Sequence, residues 1–138
     1  MLNSNRTVLD PLVYKGMEVV KLDQETGEAI LSVEIIEDMI NPNGVVHGGI
    51  SFILADFCAG MGCYALGYKV ATMQASTNYI KAVKEGKLTA RNTVLHHGRR
   101  SIVCSVNITD DRDNLILSGN FTMSVLKKME AGEVDQAI

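Results

Sequence analysis

Apolar and polar positions change rhythm several times along this chain, and each change marks a different kind of element. From Met17 the pattern alternates in part, through Glu18-Val19-Val20-Lys21-Leu22 and, after a turn at Gln24–Gly27, through Ala29-Ile30-Leu31-Ser32-Val33-Glu34-Ile35. Two such runs around a Gly-containing turn predict a β-hairpin. Asn41-Pro42-Asn43-Gly44 then predicts a loop, because Pro fixes φ while Asn and Gly tolerate left-handed conformations. From Ile50 to Leu66 the chain is rich in Ile, Leu, Ala, Phe, Met and Cys and has no Lys or Arg, the composition of a helix enclosed on most sides. Four more strands are predicted near Val70–Tyr79, Lys87–Leu95, Ser101–Thr109 and Leu115–Leu126. Turn signals at Lys84-Glu85-Gly86, His97-Gly98 and Asp110–Asn114 separate them.

Residues 1–16 read as an irregular lead, with a short helix over Thr7–Lys15 started by Asp10-Pro11. The tail Ala131–Ile138 has no periodicity and is expected to fray. Strand, strand, apolar helix, then four strands describes an α+β fold, an antiparallel sheet wrapped around one long central helix. At 138 residues the whole chain, 1–138, is expected to be a single domain.

Composition narrows the partners. The net charge of -3 offers no overall attraction to nucleic acid or to anionic membrane surfaces. The charge is unevenly divided: residues 1–66 carry three basic and nine acidic side chains, residues 67–138 ten and seven. A phosphate-bearing ligand is therefore better accommodated by the second half. Cys58, Cys63 and Cys104 are odd in number and lie in apolar surroundings, which fits a reducing compartment. No secretory signal follows Met1, so a cytoplasmic location is expected. Val45–Tyr68 is long enough to cross a bilayer, but five glycines, His47 and Asp56 interrupt it, so no membrane span is expected.

Asp56 is the only acid in the apolar helix run. A carboxylate desolvated there without a paired charge is disfavoured as an ion, which is how a base is brought toward working pH. Taken alone, it is equally compatible with a structural carboxylate bonded to a neighbouring loop. His47-Gly48-Gly49 stands where the helix begins. Helix N-termini leave unpaired N–H groups, and glycine there lets a carbonyl oxygen approach the backbone, the geometry of an oxyanion hole. The simpler reading of His-Gly-Gly by itself is a tight turn. Gly48 and Asp56 stand eight residues apart, roughly 12 Å along a helix, too far to touch one carbonyl carbon. A second chain related by a two-fold axis would bring the two groups together. His96 and His97 have no clustered Cys or acids at ligand spacing, so no metal is expected.

The segment from Asn41 through His47-Gly48-Gly49 to Asp56, nine residues after the His, resembles the signature of hotdog-fold thioesterases of the phenylacetate-degradation type. The likeness runs through Thr72–Tyr79 with Gly86, His97-Gly98-Arg99-Arg100-Ser101 and Ile116–Thr122; Ala82-Val83 departs from it where relatives often carry Pro. The resemblance implies hydrolysis of a small or medium acyl- or aryl-CoA, with no cofactor and with coenzyme A as part of the substrate. It implies that the Gly48 N–H polarises the thioester carbonyl beside Gly49, that Asn41 helps position the ligand, and that His47 orients the loop. Asp56 would be the general base on water, or alternatively a nucleophile forming a mixed anhydride, with Thr72 holding the water. Arg99 and Arg100 would meet the phosphates of coenzyme A. A homodimer or dimer of dimers is implied as well. The alternatives are a non-hydrolytic acyl-CoA binding module and a hotdog dehydratase.

Overall fold

A computed structural model describes residues 16–130. The expected helix over Thr7–Lys15 and the expected frayed tail lie outside them. The described elements are β1 (Met17–Leu22), β2 (Ala29–Glu34), a single 3-10 turn (Glu37–Met39), helix α1 (Gly48–Ala65), β3 (Tyr68–Tyr79), β4 (Lys87–His97), β5 (Ser101–Thr109) and β6 (Leu115–Lys128). Several of the boundaries move slightly from the sequence reading. α1 begins at Gly48 rather than Ile50, so the His-Gly-Gly turn supplies its first residues. β3 starts two residues earlier, and β4 and β6 each run two residues further. Cross-strand pairing extends these strands over polar residues that no hydrophobic pattern marks.

The strands form one sheet in the order β1-β2-β4-β5-β6-β3, every neighbouring pair antiparallel. α1 lies across one face and meets every strand. β5 is the clearest case of alternation read as burial: Ile102, Cys104, Val106 and Ile108 are fully buried, and Val103, Ser105 and Asn107 between them are not. Each large apolar side chain buried this way contributes roughly 1.5–3 kcal/mol. β3 follows another rule. It is the outermost strand, much of it exposed, and Met73, Tyr79 and Ile80 remain in large part open to solvent.

α1 passes a length-and-composition test for a membrane span. In this fold Leu54, Ala55, Cys58, Ala59 and Cys63 are buried among the strands, so its apolar character serves the protein core. The three cysteines are free and buried, and burial pushes the Cys58 thiol up to about 12. A stripe of α1 stays only half-buried: Ile53, Asp56, Phe57, Gly60 and Tyr64, at helical spacing along one side.

Both ends of α1 are fixed by local chemistry. Before it, Asn41 Oδ1 accepts the N–H groups of Asn43 and Val45, at 2.9 and 3.3 Å, around Gly44 with φ +81°. After it, Gly67 in the left-handed region donates to Tyr64 and ends the helix. Midway, the buried Asn92 amide on β4 donates to Gly27 O at 3.1 Å, directly beneath Gly62. A Cβ at Gly62 would stand 2.3 Å from Asn92 Nδ2 and 2.4 Å from Gly27 O.

Replacing Gly in a helix by Ala ordinarily stabilises by about 1 kcal/mol. At Gly62 the sign should reverse, with Gly62→Ala destabilising by roughly 1–3 kcal/mol through overpacking. Urea unfolding of the two proteins measures this directly, and an unchanged or higher midpoint would contradict the packing described.

Candidate active site

α1 carries two cavities on its less covered side. The first, of about 280 Å³, opens at the helix start and is lined by Asn41, Gly48, Ser51, Tyr79 and Val83 among others. The second, of about 210 Å³, opens mid-helix around Asp56, Phe57, Met61, Tyr64 and Thr72. β3 runs antiparallel to α1 and touches both regions, Asp56 through Thr72 and Gly48 through Tyr79.

At the Asp56 cavity, the Thr72 hydroxyl donates to Asp56 Oδ1 at 2.6 Å. This short bond to a carboxylate fixes the orientation of one oxygen of a residue that lines the cavity. Asp56 is half-buried, and this corrects the expectation of a desolvated carboxylate. The physical reason is coverage: β3 is an edge strand, and no described strand lies beyond it. Phe57 and Met61 join the cavity wall. Phe52 instead packs its ring on Phe121 at 5.6 Å in the core, and Met73 points away to solvent.

At the helix start, His47 donates its backbone N–H to Met39 O at 2.8 Å and accepts from Ile50 N at 3.0 Å. Its side chain is exposed and makes no capping bond, so the backbone rather than the imidazole holds the loop here. The next two amides, Gly48 N–H and Gly49 N–H, find no protein acceptor among the described residues. Both residues are exposed, so an external oxygen can reach this electropositive helix end. Asn41 lines the same cavity, but its Oδ1 is occupied by the loop's own N–H groups.

Tyr79 joins the residues around the helix start. Its hydroxyl donates to Gly48 O at 2.9 Å. No sequence signal announces this contact, because it joins the end of β3 to the start of α1 across 31 positions. Arg99 and Arg100 sit exposed in the β4–β5 turn, and neither lines the two cavities. Ser101, Ser124 and Ala71 share a row of the sheet, so the arginines lie at the end where Thr72 and Asp56 are found, two strands away. A third cavity, of about 530 Å³ between the β3–β4 and β5–β6 loops, mixes Lys81, Lys84 and Arg112 with Asp110 and Asp111. There the Asn114 amide and nearby backbone N–H groups hold the Asp110 carboxyl below its usual range.

One α-helix against a six-stranded antiparallel sheet is the hotdog fold, and the relatives of this chain make it a thioester hydrolase of that fold. The chain matches the thioesterase superfamily over residues 43–117 and belongs to it. It is 30% identical over 117 residues to a 1,4-dihydroxy-2-naphthoyl-CoA hydrolase of Listeria monocytogenes, covering 82% of this chain and 93% of that protein. Among solved structures it resembles a hypothetical thioesterase of Streptococcus pneumoniae with coenzyme A, at TM-score 0.82 and 28% identity, over 88% of this chain and 94% of the other. That protein has also been solved with an aspartate and, separately, a threonine changed to alanine, sixteen positions apart, the separation of Asp56 and Thr72. The PaaI protein of Escherichia coli shares the fold at TM-score 0.81 and 20% identity, over 87% of both chains.

The Asn41 loop gives a direct test. Asn41→Ala should cost about 1–2 kcal/mol of stability, because two backbone N–H groups lose their acceptor. Asn41→Asp keeps that acceptor and should restore the melting temperature. Equal melting temperatures for Asn41→Ala and the parent would show that the side chain does not hold the loop.

Proposed function

We propose that the chain hydrolyses the thioester of a small or medium acyl- or aryl-CoA at sites shared between two copies, Asp56 and Thr72 of one acting with Gly48 and Gly49 of the other. The observation that carries this reading is a separation. The Thr72-oriented carboxylate and the bare amides stand on one rigid helix, roughly 12 Å apart, so one chain cannot apply both to one carbonyl. The half-exposed apolar stripe of α1 and the outer edge of β3, beyond which no described strand lies, supply a self-complementary surface. Two antiparallel copies meeting along that edge would cover the stripe and pair each carboxylate with the other's helix start.

The chemistry follows from the groups present. The thioester oxygen accepts from the Gly48 N–H, which strengthens its hold as negative charge develops on that oxygen. Asp56 takes a proton from water as the water oxygen attacks the carbonyl carbon. The tetrahedral intermediate then collapses, the C–S bond breaks, and the proton held by Asp56 is available to the departing thiolate. Thr72, donating to Asp56, keeps one carboxylate oxygen engaged so that the other faces the water. Relatives bearing coenzyme A or named as CoA-thioester hydrolases support the substrate class. The aspartate and threonine altered in the Streptococcus protein, at the same separation, support the pairing of Asp56 with Thr72. Arg99 and Arg100 would receive the coenzyme A phosphates from the copy that provides Asp56. Free, buried cysteines suit a reducing, cytoplasmic setting.

Free-thiol release over a panel of acyl-CoAs tests the reaction. Asp56→Asn should lower kcat by about a hundredfold or more, the loss of a general base, with KM little changed. Wild type that binds several acyl-CoAs and releases thiol from none would replace this reading with a binding module. Incorporation of ¹⁸O from labelled water into Asp56 during turnover would favour the mixed anhydride over direct attack by water.

Shared sites make a second prediction. Asp56→Ala and Gly48→Val are each expected to be inactive alone. Co-expressed, half of the randomly formed dimers carry one intact site, giving roughly a quarter of the wild-type rate. A mixture as inactive as its components would refute composite sites.

A further inference from the structure

The peptide group that Tyr79 touches has two ends, and the second of them points at the proposed substrate. Its carbonyl is that of Gly48, which accepts the Tyr79 hydroxyl at 2.9 Å. Its N–H is that of Gly49, which meets no protein acceptor among the described residues and is open to solvent. Hydrogen bonds in series polarise one another, so donation into a peptide carbonyl strengthens the N–H of the same amide as a donor. The first turn of a helix leaves this N–H without an intrahelical partner.

Steric contact fixes the same geometry. A Cβ on Gly48 would lie 3.2 Å from Tyr79 Cε1 and 3.3 Å from Cζ, so the ring is seated against the Gly48 Cα. Tyr79 comes from the end of β3, and Ile80 N, the next amide, is anchored on Ile116 O at 2.8 Å. The phenol is thereby delivered from a hydrogen-bonded strand end rather than from a loose loop. About half of the side chain remains exposed, at 54%, on the wall of the cavity that contains Gly48.

We infer that Tyr79 is a positioning residue for the oxyanion site: its hydroxyl holds the 48–49 peptide in place and polarises it, so that Gly49 N–H joins Gly48 N–H as a second donor to the thioester oxygen. This rests on the composite-site reading above and extends it from one amide to two. The effect is exerted through the peptide, so it should grow with charge on the oxygen and appear in turnover rather than in substrate binding.

Tyr79→Phe keeps the ring against Gly48 and removes only the hydroxyl. Removing an oxyanion donor outright costs about a hundredfold or more in kcat, and weakening one should cost less, on the order of tenfold. The expected result is a roughly tenfold lower kcat with KM within about twofold, at unchanged circular dichroism and unchanged elution volume. The substrate is whichever acyl-CoA of the panel the wild type turns over fastest. A second readout uses that acyl-CoA labelled with ¹³C at the thioester carbonyl and bound to the slow Asp56→Asn protein. Its carbonyl stretch should be less red-shifted when Tyr79→Phe is added, since the stretch reports donor strength at the oxygen. Wild-type kcat in Tyr79→Phe, or a raised KM with kcat intact, overturns the inference, the latter by making Tyr79 an ordinary substrate contact. Asp56→Asn separates the two levels: a crippled Asp56→Asn beside a normal Tyr79→Phe removes only the Tyr79 role, whereas an Asp56→Asn as fast as wild type removes the reading beneath it.

Discussion

α1 is apolar on almost every side, yet six strands cover it from one direction only. Leu54, Ala55, Cys58 and Cys63 disappear into the sheet, while Ile53, Asp56, Phe57 and Tyr64 remain half-open along the other side. Apolar surface left partly open on one chain is surface available to a second. β3 compounds the imbalance, since a twelve-residue edge strand with exposed Met73 and Tyr79 is a template for further pairing. Incomplete coverage of one helix is thus the constraint from which the cavities and the open carboxylate descend, and on which the proposed composite site rests.

The same strand serves structure and chemistry together. β3 is hydrogen-bonded to β6 over nearly its whole length, with register shifts near Lys69 and between Thr72 and Gln74. Its middle and its last residue deliver hydroxyls to two points on α1: Thr72 to the Asp56 carboxylate and Tyr79 to the Gly48 carbonyl. One hydroxyl orients an acceptor of protons and the other supports a donor of hydrogen bonds. Both act from an edge that no described strand pairs on its outer side, so pairing there would change access to both points of the helix at once.

Much of this was legible in the residue pattern. The hairpin, the central helix and the four later strands follow from alternation, from a long apolar run without Lys or Arg and from turn residues, because burial on one face imposes those periods on any sequence. The boundaries shifted where polar residues such as Lys69, His96 and Lys127 were drawn into strands by their neighbours' hydrogen bonds. The candidate site was legible as a cluster: Asn41, His47, Gly48, Gly49 and Asp56 lie close in sequence. Their individual states were less so. Asn41 turned out to hold its own loop through Oδ1, the His47 side chain makes no capping bond, and Asp56 is half-open rather than desolvated. Each of these depends on what lies across from the residue in space.

By itself the sequence determined the type and order of the elements, the presence of an acid on an apolar helix, and the distance along that helix from the acid to the glycine turn. Local rules govern all three, since periodicity, turn chemistry and helical rise need only neighbours a few positions away. The sheet order with β3 outermost, the Thr72 hydroxyl on Asp56 and the Tyr79 hydroxyl on Gly48 were decided by tertiary structure alone. Those contacts join residues 16 and 31 positions apart, and only the folded sheet determines which strand lies beside which turn of the helix.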